Sequence, residues 1–437
     1  LELEGRVFME IFFRGGAMEV GRSCIEVKTD QSSVLFDCGI KLSPEGPEYP
    51  ILKDANPDCI FISHAHLDHT GSLPVLVHSG VNPAIFSTHM TKALTKELLK
   101  DSLKIALAEN LEELYDRGDV HKTIKLHRKA KYNKTKHFKD FDFEFFNAGH
   151  IPGSASILLD YGNKKLVYTG DTKVLDTELV KGADLSYCKE SIDVLIVEST
   201  YGGEVHPDRG KIEKEFLEKV KETVERKGVA IIPVFAVDRS QEILLVLNNL
   251  GLDIPIYFDG LAKKITEIML RYPEYLKNPE DLKKVFLNVY EVDNKDRQHV
   301  IKDLKENGGI VVTTAGMLEG GPVVTYMWNF WNDTKSSLIL TGYQVEDTVG
   351  RRLIETGELS LGELSVKPKF EVSLYEFSAH GDMNELRKIV KKADPGALIV
   401  QHGEEESISL FNDWAVENGY ITFTPKLGDK IDLDKVL

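Results

Sequence analysis

The apolar run Cys59-Ile60-Phe61-Ile62 breaks directly into Ser63-His64-Ala65-His66-Leu67-Asp68-His69, which sets three imidazoles and one carboxylate within six positions. Imidazole and carboxylate are the side chains that suit Zn²⁺ and similar divalent ions. A strand that ends this way must deliver its last residues to a place where a cation can sit. His64 and His66 alternate and can face one ion. Asp68 and His69 fall on the following turn and can reach a second. A plain polar loop with satisfied histidines would have to explain four ligand-type groups on one strand-to-helix turn.

Other apolar runs repeat the pattern. Val34-Leu35-Phe36 ends at Asp37, Leu166 to Gly170 at Asp171, Val194 to Val197 at Glu198, and Ala397 to Gln401 at His402. The run from Val372 to Phe377 leads through Ser378 and Ala379 to His380. Short apolar runs rich in β-branched residues read as buried strands. Metal-binding and proton-moving groups gathered at one edge of such strands describe a single site.

With 437 residues the chain is long enough for two domains, each burying its own core. No apolar stretch is long enough to span a membrane, and no signal segment opens the chain. The four cysteines (Cys24, Cys38, Cys59 and Cys188) form no close pair and read as reduced residues of a cytoplasmic protein. Residues 1–8 precede the first methionine, Met9, and are expected to be a vector-derived tail. The net charge of −16 argues against a general nucleic-acid coating protein, because phosphate contacts come from Lys and Arg. It leaves room for a nuclease whose basic groups line one groove. From His121 to Lys139 there are eight Lys/Arg and no Asp/Glu, which fits either a solvated hairpin or an RNA track.

No internal repeat or low-complexity tract is present. Thr91 to Leu114 carries apolar residues at helical spacing. A boundary falls at Val205–Gly210, followed by an amphipathic helix over Lys211 to Lys227. Beyond it, Val229–Val234, Ile254–Phe258, Gly309–Thr313 and Ser337–Thr341 read as strands with helices between them, hence a mainly parallel sheet with covered faces. The chain then returns to supply His380 and His402. The expected organisation is residues 9–206 and 366–437 as one domain, split by an inserted domain over 207–365.

His64, His66, Asp68 and His69, with His150 in Ala148-Gly149-His150-Ile151-Pro152-Gly153-Ser154 and Asp171 in Tyr168-Thr169-Gly170-Asp171, resemble the metallo-β-lactamase superfamily. Glu198 in Glu198-Ser199-Thr200-Tyr201-Gly202, His380 in Phe377-Ser378-Ala379-His380-Gly381-Asp382 and His402 in His402-Gly403-Glu404 resemble motifs A, B and C of its β-CASP nucleases. The wording is most similar to the cleavage and polyadenylation specificity factor (CPSF) endonuclease, in particular to short archaeal CPSF-like proteins without KH domains. The resemblance runs from about residue 9 to the C-terminus.

The resemblance implies an α/β fold, a metallo-β-lactamase αββα sandwich with an inserted β-CASP α/β domain. It implies a zinc-dependent ribonuclease acting on single-stranded RNA, with two Zn²⁺ per chain. One zinc would take His64, His66 and His150, the other Asp68, His69 and His402, with Asp171 bridging them. Asp37 fits better as a group that orients a histidine than as a ligand. His380 would protonate the departing 3′-oxygen and Glu198 would hold its imidazole, leaving 5′-phosphate and 3′-hydroxyl ends.

Thr314 to Pro322 resembles the family's glycine-rich turn, so Gly316, Gly320 and Gly321 are candidates to hold an RNA phosphate, with Arg239, Arg351 and Ser378 as further contacts. Asp238 and Asp347 stand where relatives usually carry glycine. The competing readings are a DNA-processing β-CASP nuclease of the Artemis kind and an inactive RNA-binding scaffold subunit. His402 speaks for RNA, since the Artemis branch resembles Val at that position. Internal cleavage and 5′-3′ digestion are both open, and a homodimer is compatible with the chain.

Overall fold

A computed structural model describes residues 8–43, 46–109, 114–162, 164–251, 254–345, 348–362 and 364–435. The expected tail, apart from Phe8, and Asp347 lie outside them. The chain divides into two compact units. The first comprises the described residues within Leu1–Asp176, Lys181–Val205 and His380–Leu437; the second comprises Thr177–Val180 and His206–Ala379.

The first unit holds two seven-stranded sheets. One runs in the order Lys430–Asp432, Met9–Gly15, Cys24–Thr29, Ser33–Phe36, Cys59–Phe61, Ala84–Ser87, His127–Lys129. The other runs Thr422–Phe423, Ala397–Gln401, Val194–Glu198, Lys164–Tyr168, Ala155–Tyr161, Phe141–Asn147, Lys136–Phe138. Their central strands, such as Ser33–Phe36, Cys59–Phe61, Val194–Glu198 and Ala397–Gln401, are buried on both faces, as a sheet covered on both sides requires. Alternate residues sort to opposite faces. Val34, Phe36, Cys59 and Phe61 meet Phe143, Ile157, Val194 and Ile196 between the sheets. Leu35 and Ile60 turn outward to Leu73 and Leu76 of the helix Leu73–His78. Leu195, Val197 and Leu398 turn outward to the helices Met383–Ala393 and Glu405–Glu417. This is the αββα sandwich expected from the sequence.

The basic segment is neither one hairpin nor one loop. It enters from the helix Arg117–Leu126 and supplies an edge strand to each sheet, His127–Lys129 to one and Lys136–Phe138 to the other. Lysines on exposed edges blunt pairing with other chains. Two of them have local partners, Lys136 on the Lys129 carbonyl and Lys139 on Asp58.

The second unit is a six-stranded sheet in the order Tyr290–Val292, Ile256–Asp259, Gly309–Thr313, Val229–Pro233, Ser337–Leu340, Glu371–Leu374, and every pairing is parallel. Helices cover both faces, Gly321–Phe330 and Arg297–Asn307 on one, Arg209–Glu225 and Arg239–Leu247 on the other. The expected helix after the boundary is Arg209–Glu225, capped by Asp208, whose Oδ1 accepts from Lys211 N at 2.8 Å. Because Glu371–Leu374 pairs with Ser337–Leu340, the chain returns to the first unit at His380, not at the 365/366 boundary read from the sequence. Among the described residues no helix is long and apolar enough to cross a membrane.

Candidate metal centre

Parallel pairing explains why distant residues share one edge. Lys164–Tyr168, Val194–Glu198 and Ala397–Gln401 are neighbouring parallel strands, with Tyr168 opposite Ile196 and Glu198 opposite Gln401. Their C-terminal ends deliver Asp171, Glu198 and His402 together. In the facing sheet Ser33–Phe36 and Cys59–Phe61 are likewise parallel, and release Asp37 and the His64–His69 segment at the same end. His150 lies on the loop joining Phe141–Asn147 to Ala155–Tyr161. Gly170 lets these ends approach: its φ is 55° and a Cβ there would lie 2.6 Å from Ser63 Cβ.

Two groups of ligand-type atoms result, each within 4.8 Å: His64, His66 and His150, and Asp68, His69, Asp171 and His402. Asp171 touches both. Its Oδ2 is 3.5 Å from His64 Nε2, 3.8 Å from His150 Nε2 and 3.3 Å from His69 Nε2, and its Oδ1 is 3.2 Å from His402 Nδ1. Asp68 Oδ2 is 3.5 Å from His69 Nε2 and 3.6 Å from His402 Nε2. Four of the converging atoms (His64 Nε2, His69 Nε2, Asp171 Oδ1 and His402 Nδ1) are buried and make no hydrogen bond. Orphaned polar atoms are rare in folded proteins and here they share one target. The donor set is nitrogen and carboxylate oxygen, which fits zinc.

The electrostatics agree. Burial, reinforced by His69, holds His64 well below the usual histidine value, and burial lowers His66 too, so both keep a neutral lone pair. Burial alone would raise Asp68 and Asp171, but His69 and His402 outweigh it and keep both carboxyls below their ordinary range. The same pairs raise His69 and His402 against the burial that would lower them.

Asp37 is fully buried and spends both oxygens on orientation. Oδ1 accepts from Ser63 N at 2.7 Å; Oδ2 accepts from Ser63 Oγ at 2.7 Å and from the Tyr168 hydroxyl at 2.7 Å. His69 Nδ1 lies 2.8 Å from the same Oδ2. A carboxylate only accepts, so the proton sits on Nδ1 and the Nε2 lone pair faces the cluster. Asp37→Asn is expected to weaken zinc binding by about 10–100-fold, the usual cost of losing such a partner, in a titration against a competing chelator. Unchanged affinity would remove the role.

His380 forms a second pair, its Nδ1 lying 2.9 Å from Glu198 Oε2 and 3.2 Å from Oε1. Glu198 is fixed by Thr172 N, which donates to Oε1 at 2.6 Å. Lys173 Nζ donates to the His380 carbonyl at 3.1 Å. Burial would lower His380, but Glu198 outweighs it and pushes the imidazole up to about 9. Its ring is 4.5 Å from that of His150, and a ring nitrogen comes within 4.8 Å of ligand atoms of His150 and Asp171.

All seven ligand candidates, with Asp37, Glu198 and His380, therefore meet in the first unit. Ser63, Tyr168 and Lys173 join them without having been singled out. A serine before a histidine and a tyrosine at an inward strand position look like ordinary core residues.

The six phosphate-contact candidates belong to the second unit. Gly320 and Gly321 have φ of 65° and 66°, and a Cβ on Gly321 would lie 2.8 Å from Thr314 O, so the turn itself demands glycine. Val323 N, at the start of the helix behind this turn, already donates to Thr314 O at 2.9 Å. A Cβ on Gly316 would press on Phe235 N at 3.2 Å. Arg239 is buried, Arg351 Nε donates to Glu355 Oε1 at 2.6 Å, and Ser378 is half-buried. Asp238, before the helix Arg239–Leu247, holds φ of 72° and ψ of −70°, a conformation that glycine adopts most easily.

A helix-flanked double sheet with a His/Asp cluster at its strand ends, split by an all-parallel unit, defines a metallo-β-lactamase hydrolase with a β-CASP insert. The family comparisons agree: residues 18–233 match the metallo-beta-lactamase superfamily, 240–353 the Beta-Casp domain, and 365–425 the Zn-dependent metallo-hydrolase RNA specificity domain. "Probable RNase MJ4" of Methanocaldococcus jannaschii is 53% identical over 97% of this chain and 100% of its own length. "RNase aCSPSF2" of Saccharolobus solfataricus is 34% identical over 96% of this chain and 84% of its own length. A crystal structure of a protein of unknown function from Enterococcus faecalis shares the fold, with a TM-score of 0.61 and 16% identity over 97% of this chain and 100% of that one. The chain belongs to the β-CASP ribonuclease family of the metallo-β-lactamase superfamily.

Proposed function

We propose that this chain is a two-zinc ribonuclease that hydrolyses phosphodiester bonds of single-stranded RNA. The observation that carries the reading is the set of buried, hydrogen-bond-free donor atoms around Asp171, beside the His380–Glu198 pair. His64, His66 and His150 would hold one ion, Asp68, His69 and His402 the other, with Asp171 shared between them. Zinc, when bound, supplies Lewis acidity and lowers the pKa of water to near neutrality.

The chain's own residues do the rest. Asp37, held by Ser63 and Tyr168, keeps His69 in the tautomer that offers Nε2. Glu198 fixes the proton of His380 on Nδ1, and the raised affinity of this imidazole for a second proton suits delivery to the departing 3′-oxygen. Breaking the bond on that side leaves a 5′-phosphate and a 3′-hydroxyl. RNA as substrate is supported by similarity to two proteins that are named as RNases. The free cysteines, three of them buried, support a reducing compartment, the cytoplasm.

The test compares matched single-stranded RNA and DNA oligonucleotides, labelled at the 5′ or the 3′ end, with and without a chelator. RNA is expected to be cut faster than DNA, to give 5′-phosphate products, and to survive intact when the chelator is present. Equal or faster cleavage of DNA would overturn the choice of RNA. The two labels separate internal cuts, which shorten both labelled species at once, from digestion starting at the 5′ end.

A further inference from the structure

In the first unit, the helix Met383–Ala393 begins three residues after His380 and rises for about 16 Å at 1.5 Å per residue. With Trp414 of the helix Glu405–Glu417 it lines a groove of about 510 Å³, formed by Asn384, Arg387, Lys388, Lys391, Lys392 and Trp414. The four cations stand at i, i+1, i+4 and i+5, which puts them along one side of the helix. Arg387 lies over the Trp414 ring with its guanidinium carbon 5.0 Å from the centroid, and Lys391 Nζ is 5.7 Å from it. The indole is braced from behind by Phe411, with ring centroids 5.4 Å apart. Arg387 Nε is buried and makes no hydrogen bond.

The lining of this groove contains no acidic residue. None of the four cations has a carboxylate partner among the described residues. On the helix Arg209–Glu225, by contrast, the lysines stand in pairs, Lys211–Glu215, Lys214–Glu218 and Lys221–Glu225. Asp and Glu number 70 against 54 Lys and Arg, so a lining with four cations and no acid runs against the composition. A chain of net charge −16 repels a polyanion in general and must attract it somewhere in particular.

We propose that this groove is a binding track for single-stranded RNA, holding the part of the strand that runs past the metal centre. The lysines and Arg387 meet successive phosphates. The Trp414–Arg387 stack presents a flat surface against which a base can lie. The inference rests on the ribonuclease reading and deepens it by placing a length of substrate outside the reacting bond.

The test measures binding of a labelled 20-nucleotide oligouridylate against salt in the His380→Ala background, so that the RNA is not consumed. Adding Lys388→Ala, Lys391→Ala and Lys392→Ala, all exposed positions, removes three contacts without touching the packed Arg387 and Trp414. At about 0.7 per phosphate for a single strand, the slope of log affinity on log salt should fall by about 2. Between 50 and 200 mM salt the parent then loses roughly 20-fold more affinity than the variant. Lys211→Ala, Lys214→Ala and Lys221→Ala together make the same change of net charge and should keep the parent slope. Equal slopes in parent and groove variant, or the same loss in both triple variants, would overturn the track. Tighter binding of oligoglutamate than of RNA, abolished by the groove variant, would overturn it in favour of an acidic protein partner. If the otherwise unaltered protein cuts this RNA while the slopes stay equal, the track fails and the ribonuclease reading stands. If the protein binds the RNA with the predicted slopes but never cuts it, the track stands and the ribonuclease reading fails.

Discussion

His380→Ala is expected to bind zinc as the unaltered protein does and to cleave RNA about 10²–10⁴-fold more slowly, the range set by loss of a general acid. The prediction is sharp because the geometry offers His380 a second occupation. A nitrogen of its ring comes within 4.8 Å of ligand atoms of His150 and Asp171, close enough to complete a metal site. Against that, Nδ1 is engaged by Glu198 at 2.9 Å, and the carboxylate raises the imidazole to about 9, which marks a proton carrier more than a metal ligand. Zinc content and cleavage rate, measured on the same preparation, separate the two. A variant that lost one zinc equivalent would make His380 a ligand and leave the acid unassigned.

Asp171→Ala should have the larger effect on composition. The unaltered protein is expected to contain close to two zinc equivalents, the variant less than one, with no cleavage above background. Asp171 is the carboxylate that lies within 3.8 Å of histidines from both groups, so on the proposed assignment its loss would take a ligand from each ion. Thermal unfolding supplies a readout independent of activity. A ligand that binds only the folded state adds about 4 kcal/mol at a thousand times its Kd. Added zinc should therefore raise the melting temperature of the stripped parent and leave that of the variant nearly unmoved. An Asp171→Ala protein that kept both ions would break the bridging assignment.

Much of this site was legible in the sequence because its chemistry is local. The His64–His69 segment carries its ligands within one turn, and each of Asp37, Asp171, Glu198 and His402 directly follows or closes an apolar run. The parallel pairing that brings those ends together follows from alternating strands and helices. Groups that act through others were not legible. Tyr168 reads as one more aromatic on a buried strand, and only its 2.7 Å bond to Asp37 gives it a task. Nothing in the sequence singles out Lys173, whose ammonium donates to the His380 carbonyl. The basic run over 121–139 was illegible for a different reason. Charge density left a solvated loop or hairpin and an RNA track both open, whereas the chain also uses the segment to finish the exposed edges of two sheets. The run Val372–Phe377 was read as a strand leading to His380, whereas the strand is Glu371–Leu374 and pairs in the second unit, since nothing in so short a run says which neighbour it will pair with.

The pairing of Val194–Glu198 with Ala397–Gln401 has a bearing on how such an enzyme is made. On the ribosome, the first strand emerges some two hundred residues before its partner, with residues 206–379 of the second unit synthesised between them. At 5–20 residues per second, the interval lasts roughly 10–40 s. Throughout it, one backbone edge of Val194–Glu198 lacks its mate, the kind of surface that invites pairing with another chain. The same delay fixes an order of assembly. His380 and His402 are the last members of the site to be translated, so the full cluster cannot exist earlier. The cluster around Asp171 is thereby left incomplete until His402 has been made.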